Sequence, residues 1–319
     1  MEAPTHPRTW KVLLAFAIIY FVWGSTFLAI RVGVREIPPF LFAGMRFVAA
    51  GAALYVWARF TGTPSPSKRE WISASAIAVF MFVFDYGLLF WAEKRVPSGI
   101  AAVMMANIPV FMAISEIAIL KTQRLTVRLA MGLVAGIAGV AVLVSPTSHL
   151  GETAIDTAGA CALIVAGISW SAGTALTRKL PLPASKAMSS AAQMFAGGLL
   201  LTAAATLLGE FRGFQVQSVS REAWLALAYL TVAGSIVAFT AYVWLIHHES
   251  PTKVGTYAYV NPVVAILVGY FLGGESIGPR TIAGTALVLL SVIVITTAPV
   301  RRTSAPEWTR TPQPPGDAE

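Results

Sequence analysis

The chain has 319 residues, 56% hydrophobic and only 12% charged, with a net charge of +8 and a mean hydropathy of +0.70. Soluble domains carry roughly a quarter charged residues, so this much apolar surface has no place in a water-soluble core, and the solvent must be lipid. The basic residues form short clusters between apolar runs and build no basic face, which excludes nucleic acid and marks membrane topology instead.

Lys11 precedes the first apolar run, at 12–30, and no small-residue cleavage site follows it; Arg31 and Arg35 do. That pattern reads as a spanning helix rather than a cleaved signal peptide. Ten spans are predicted, numbered one to ten in chain order: 12–31, 40–59, 71–92, 98–120, 127–145, 154–177, 187–208, 222–246, 254–272 and 280–298. Each approaches the ~20 residues a helix needs to cross the hydrocarbon core. Prolines mark the junctions, at Pro38, Pro39, Pro64, Pro66, Pro97, Pro146, Pro181, Pro183, Pro251 and Pro279. Residues 299–319, rich in Pro, Thr and Arg, read as a disordered tail.

The spans repeat. Trp23 and Arg31 match Trp170 and Arg178 at an offset of 147, and the same offset places Arg46 on Gln193 and Gly51 on Gly198. Trp71 and Trp91 match Trp224 and Trp244 at 153, and Pro97 and Asn107 match Pro251 and Asn261 at 154. The unit has five spans, so the second copy starts on the opposite face. The expected architecture is all-α: ten helices as two inverted five-helix repeats, at 12–145 and 146–298, flanked by a short 1–11 segment and the tail. With the N-terminus inside, fifteen Lys and Arg lie in cytoplasmic segments and seven in outer ones, so both termini are expected in the cytoplasm.

Trp23, Gly24, Ser25, Thr26 and Phe27, then Pro38, Pro39, Arg46 and Phe47, resemble the opening of an EamA-type permease of the drug/metabolite transporter superfamily. Glu93, the run 96–102, the run 257–262 ending in Asn261 and Pro262, and Gly274 with Glu275 extend the resemblance over about residues 20–298. The first repeat has Thr122 and Gln123 where the second has Gly274 and Glu275, so a role for that glutamate cannot be symmetric. The resemblance implies a central cavity lined by the first, third and fourth helices of each repeat, with the fifth helices packed outside. Span five fits that division, since Gly132, Gly136 and Gly139 form a small-residue stripe.

Arg46 lies about 9 Å, and Asp85 about 10 Å, below the same surface. A charge at mid-membrane costs roughly 2.5–3.5 kcal/mol on insertion scales, so the two are expected to pair, either as a gate or as a structural ion pair. Glu93 ends span three beside Lys94 and Arg95, as a proton carrier or a solvated interfacial charge; Glu116 has Lys121 nearby. Asn107 and Asn261 lie deep in their helices beside Pro109 and Pro262, where broken helices can line a cavity. Trp91 and Trp244 suit an interfacial belt. The candidate cavity residues are Trp23, Ser25, Asn107, Trp170, Tyr242, Tyr257, Tyr259 and Asn261. Arg46, Asp85 and Glu93 are the candidates for coupling or gating.

Cys161 is the only cysteine, the four histidines are terminal or at span ends, and no metal or other cofactor is expected. No phosphate-binding G-x-x-x-x-G-K-[ST] loop occurs, so energy comes from a gradient or transport is facilitated diffusion. The reading is a secondary transporter in the bacterial cytoplasmic membrane, exporting small metabolites such as amino acids or amphipathic compounds, with proton coupling through Asp85 or Glu93 as one option. A lipid or polyisoprenoid flippase is the alternative. An intramembrane enzyme lacks the residues to fill a catalytic site.

Overall fold

A computed structural model describes residues 9–118, 125–145, 155–249 and 251–297. The tail at 299–319, Thr122 and Gln123, and the side chain of Glu116 lie outside this description. Every regular element among the described residues is helical. Eight helices are long and apolar enough to cross a membrane: Thr9–Gly33, Pro39–Phe60, Lys68–Glu93, Val127–Val144, Thr157–Thr177, Lys186–Leu207, Arg221–Leu245 and Pro279–Thr296. The shorter apolar stretches Ser98–Ile114 and Tyr257–Gly273 supply spans four and nine. The end of the bundle where odd-numbered spans finish is called distal below, and the opposite end proximal.

Local chemistry sets the boundaries. Ser67, Thr126, Asp156, Ser185 and Ser220 each cap a helix through the side chain, satisfying N–H groups that have no intrahelical partner. Pro39 and Pro279 occupy first-turn positions, where a missing N–H is harmless. Span nine ends at Gly274, in the left-handed region at φ 65°, and the Glu275 N–H returns to the Gly269 carbonyl at 3.0 Å. That C-cap turns the chain sharply and brings Glu275 back over the bundle.

Two spans are not plain α-helices. Span three contains a π-helical stretch, Val79–Tyr86, and span eight another, Leu230–Val237. π-Helical turns are rare and cluster at functional sites. The expected breaks appear differently in the two repeats. Span four is interrupted at Ala106 and Asn107, between Ser98–Met105 and Ile108–Ala118. In span nine, Pro262 sits inside an unbroken helix, and the interruption falls earlier, between Pro251–Val254 and Tyr257–Gly273. Asn261 is therefore not at a helix break.

The two-fold relation between repeats is visible in packing. A Cβ on Gly51 would lie 2.7 Å from the Phe195 Cα, and one on Gly198 would lie 2.8 Å from the Phe47 carbonyl carbon. Spans two and seven thus touch backbone to backbone through the two glycines that the offset of 147 pairs. Spans five and ten do the same: a Cβ on Gly139 would meet the Gly284 oxygen at 3.0 Å, and one on Gly284 would meet the Gly139 oxygen at 3.1 Å. Small residues allow this approach in lipid, where dispersion and close packing replace the hydrophobic drive between helices.

Candidate functional site

The π-helical stretches organise the centre. A π turn shifts the i→i−4 pattern and leaves carbonyls open to other partners. Trp23 of span one donates through Nε1 to the Gly234 carbonyl of span eight at 3.1 Å. Ser169 of span six donates through Oγ to the Phe80 carbonyl of span three at 2.9 Å. The first helix of each repeat therefore docks on the π segment of the other.

Around these contacts stand half-buried aromatic rings. Trp23 lies 5.4 Å from Tyr242 and 5.2 Å from Tyr257, and those two tyrosines are 5.9 Å apart, centroid to centroid. Tyr86 lies 6.0 Å from Trp170 across the repeat boundary and 4.6 Å from Phe47 within its own repeat. Trp23 thus stands with Tyr242 and Tyr257, and Trp170 with Tyr86 and Phe47; the two groups together are called the aromatic column below. Tyr86 joins them unexpectedly; its position beside Asp85 in span three was the available signal. The rings can stack on apolar or aromatic bodies, and their hydroxyl and N–H groups can orient polar ones.

Arg46 enters this column from span two. It is 4% exposed, and its Nε donates to Ser235 Oγ in the span-eight π segment at 2.9 Å. Its guanidinium carbon lies 4.7 Å from the Phe47 ring and 5.5 Å from the Tyr86 ring. Nη1 is buried with no hydrogen-bond partner. The expected Arg46–Asp85 ion pair is not made: Asp85 is 2% exposed, and its Oδ1 is also without a partner. Depth, which the sequence supplied, does not fix the direction a side chain takes around its helix. The π turn brings Ser235 to Arg46 instead.

The other candidates lie elsewhere. Asn107 is 2% exposed, and its Oδ1 and Nδ2 have no partner. A Cβ built on Gly136 would lie 2.7 Å from both Asn107 Oδ1 and Ser291 Oγ, so the amide faces spans five and ten. Asn261, in the amide orientation that satisfies it, donates to the carbonyls of Tyr20 and Tyr257 at 3.2 Å each and ties span nine to span one. Tyr259 shares a hydrogen bond with Thr296 of span ten at 2.9 Å. Ser25 bonds the Phe21 and Val22 carbonyls of its own helix and meets the Tyr229 hydroxyl at 2.6 Å. Asn261, Tyr259 and Ser25 thus bond to groups on their own or neighbouring helices, and Asn107 packs against spans five and ten.

The distal end carries a second constellation. Glu275 accepts from the Ser98 N–H and hydroxyl, both at 2.7 Å, and from the Gly99 N–H at 3.0 Å. Its carboxylate caps span four, where the helix dipole favours an anion. Arg31 Nε lies 3.4 Å from the same carboxylate, while Arg31 Nη1 donates to the Val96 carbonyl. Glu93 lies within the electrostatic reach of Arg31 and Glu275. It is 1% exposed, with neither carboxylate oxygen bonded.

Two more carboxylates cap across the repeats at this end. Glu36 accepts from the Ser220 N–H at 2.6 Å and hydroxyl at 2.7 Å, and these bonds hold its carboxyl below the usual range. Glu210 accepts from the Leu41 N–H at 2.9 Å and the Phe40 N–H at 3.4 Å, but burial pushes its carboxyl upward. Sequence reasoning missed Glu36 and Glu210, because their partners are more than 160 residues away.

Residues 10–145 and 157–297 each match the model of the EamA-like transporter family. Over 284 residues the chain is 35% identical to the uncharacterized inner membrane transporter YedA of Escherichia coli, spanning 88% of this chain and 89% of that one. It is 25% identical over 292 residues to an uncharacterized transporter of Archaeoglobus fulgidus, covering 90% of this chain and 98% of the relative. A solved crystal structure, 21% identical, superposes over 90% of this chain and 96% of its own with a TM-score of 0.59, and so shares the fold. Two family matches in series, on two five-helix halves that pack through paired glycines, leave one conclusion: the chain belongs to the EamA-like transporter family and is a multi-pass membrane protein of ten helices.

Proposed function

We propose that the protein is a secondary transporter of the bacterial inner membrane that exports small amphipathic solutes by alternating access through the aromatic column. Both termini face the cytoplasm, so the distal end is periplasmic. The inner-membrane relative and the lysine and arginine bias support this placement. The observation that carries the transport reading is the unequal bonding of the two ends. Glu36, Glu210 and Glu275 bridge the repeats at the distal end. At the proximal end, a groove of about 330 Å³ lies between residues 61–66 and 183–185, with Glu70 on its wall. Among the described residues the carboxylate bridges between repeats lie at the distal end, which supports a transporter that loads from inside.

The test uses a Cys161→Ser background, purified and placed in proteoliposomes. Cysteines replacing Glu36 and Ser220 are bridged with a short bis-thiol crosslinker. Bridging should stop solute movement, and cleaving the linker should restore it. Transport that continues at the uncrosslinked rate would refute alternating access through this end.

A further inference from the structure

We propose that Arg46 is an anion-binding residue at the head of the aromatic column, and that the solute carried is a carboxylate on an apolar, ring-sized body. This rests on the transport reading above and names the solute class for the same site.

The argument begins with a charge that packing does not require. Gln193 stands at the matching position of the second repeat, and its amide is satisfied within its own helix by the Ser189 carbonyl at 3.2 Å and hydroxyl at 3.1 Å. The fold therefore tolerates a neutral residue there. In the first repeat the same place holds a guanidinium that is 4% exposed. A buried charge without a counter-charge is costly to keep. Among the described residues, no carboxylate pairs with Arg46; its one hydrogen bond is from Nε to the neutral Ser235 hydroxyl at 2.9 Å. Nη1 is left over. A guanidinium with a free edge is suited to the planar fork of a carboxylate.

The surroundings give the solute its body. A Cβ on Gly234 would meet Thr26 Cγ2 at 3.1 Å and Arg46 Nη2 at 3.4 Å, so the missing side chain lets the span-eight backbone come close to the guanidinium. The same Gly234 offers its carbonyl to Trp23. One backbone position therefore touches both the cation and the first ring of the column. On the other flank, the Tyr86 ring lies 5.5 Å from the guanidinium carbon and 6.0 Å from Trp170. A molecule with its anionic group on Arg46 would lay its apolar part along these faces.

The probes are 3-phenylpropionate, its uncharged amide, and 3-phenylpropylamine, each added to the purified full-length protein and read as a shift in melting temperature. The acid should stabilise the protein in a saturable way, and the amide and amine should not. Arg46→Gln should weaken binding of the acid by about 100-fold, the loss of a charge-assisted pair of hydrogen bonds. Arg46→Lys keeps the charge without the fork, and should bind the acid about tenfold less tightly. It carries the test if the glutamine variant does not fold. Equal stabilisation by the amide, no stabilisation by the acid, or wild-type binding in the lysine or glutamine variant would overturn the proposal. Proteoliposome flux separates the two readings. Arg46-dependent binding of the acid with no movement of any solute would sink transport and leave the site standing. Flux of neutral or cationic solutes that Arg46→Gln leaves intact would sink the site and leave transport standing.

Discussion

The two ends of the bundle are built from the same repeated unit, yet they are joined differently. At the distal end, carboxylates from one repeat cap helices of the other: Glu275 on span four, Glu36 on span eight and Glu210 on span two. At the proximal end, the described carboxylates stay on their own elements. Glu70 closes a capping box with Ser67, and Glu249 pairs with Lys253 at 3.0 Å. The proximal contacts between repeats are neutral or peripheral, such as the Tyr20 and Thr256 hydroxyls at 2.5 Å and Arg128 on Thr297 at 2.6 Å. Inverted repeats exchange the roles of the two ends when they rock. On the alternating-access reading proposed above, the difference makes the distal end the closed gate and the three carboxylates the residues that hold it.

The largest break in this comparison should come from Glu275. Its carboxylate takes three hydrogen bonds and faces Arg31. Charged hydrogen bonds contribute roughly 1.5–3 kcal/mol each. Glu275→Gln removes the charge and one acceptor, and should shift the population toward a distally open state. A cysteine at Ile30, which is 2% exposed in the clasped state, reports on that opening. In a Cys161→Ser background, a membrane-impermeant maleimide should label it about 10–100-fold faster when Glu275 is replaced, following those hydrogen-bond energies. An unchanged labelling rate would show that Glu275 fixes a loop and not a gate.

A smaller effect should come from the contact shared by both ends. Gly51→Ala and Gly198→Ala each press a methyl against backbone of the partner helix. Overpacking of this kind costs about 1–3 kcal/mol. Both variants should melt lower, by similar amounts, while the Ile30 labelling bias stays at its wild-type value. A large difference between the two melting shifts would mean that spans two and seven are not related by the two-fold axis.

What the sequence made legible follows from what repeats and hydropathy encode. The ten spans and the glycine pair at an offset of 147 were readable, because both are patterns along the chain. The later drift to 153 has a visible cause: the link from Phe60 to Lys68 is shorter than the one from Leu207 to Arg221. The π segments were not readable. One extra residue in a turn leaves hydropathy unchanged, yet it rotates every side chain that follows. That rotation is why Arg46 meets Ser235 and leaves Asp85. Asn107 and Asn261 occupy unlike surroundings despite matching positions because span four breaks at Asn107, whereas span nine breaks before Tyr257. The carboxylate caps were hidden for another reason: each joins residues from opposite halves of the chain.

The π-segment contacts allow a comparison at the centre, away from either gate. Ser169→Ala and Trp23→Phe each remove one bond to a π-segment carbonyl. A typical hydrogen bond contributes about 1 kcal/mol net. Both variants should lose a little stability, the second slightly more because its ring also touches Tyr242 and Tyr257. A loss confined to Trp23→Phe would show that the Ser169 bond is incidental and that the first-helix docking is one-sided.

The smallest expected effect is the pH response of the exposed clasp. Ser220 holds the Glu36 carboxyl below its ordinary value through backbone and hydroxyl donors. A carboxyl depressed in the clasped state stabilises that state above its unclasped pKa, and the contribution is lost as pH falls through the clasped value. Glu210 has the opposite sign, because burial raises it. Its charged form works against closure at neutral pH, and protonation relieves that penalty. Acidification from neutral should therefore first favour closure through Glu210, then loosen it through Glu36. Labelling of the Ile30 cysteine should dip and then rise as pH falls. Glu36→Gln should remove the rise, and Glu210→Gln the dip. Each change should be no more than severalfold, since Glu36 is solvent-exposed and its bonds compete with water. A rise that persists in Glu36→Gln would assign the acid sensitivity to another group, with the unbonded Glu93 carboxylate beside Arg31 and Glu275 the next to substitute.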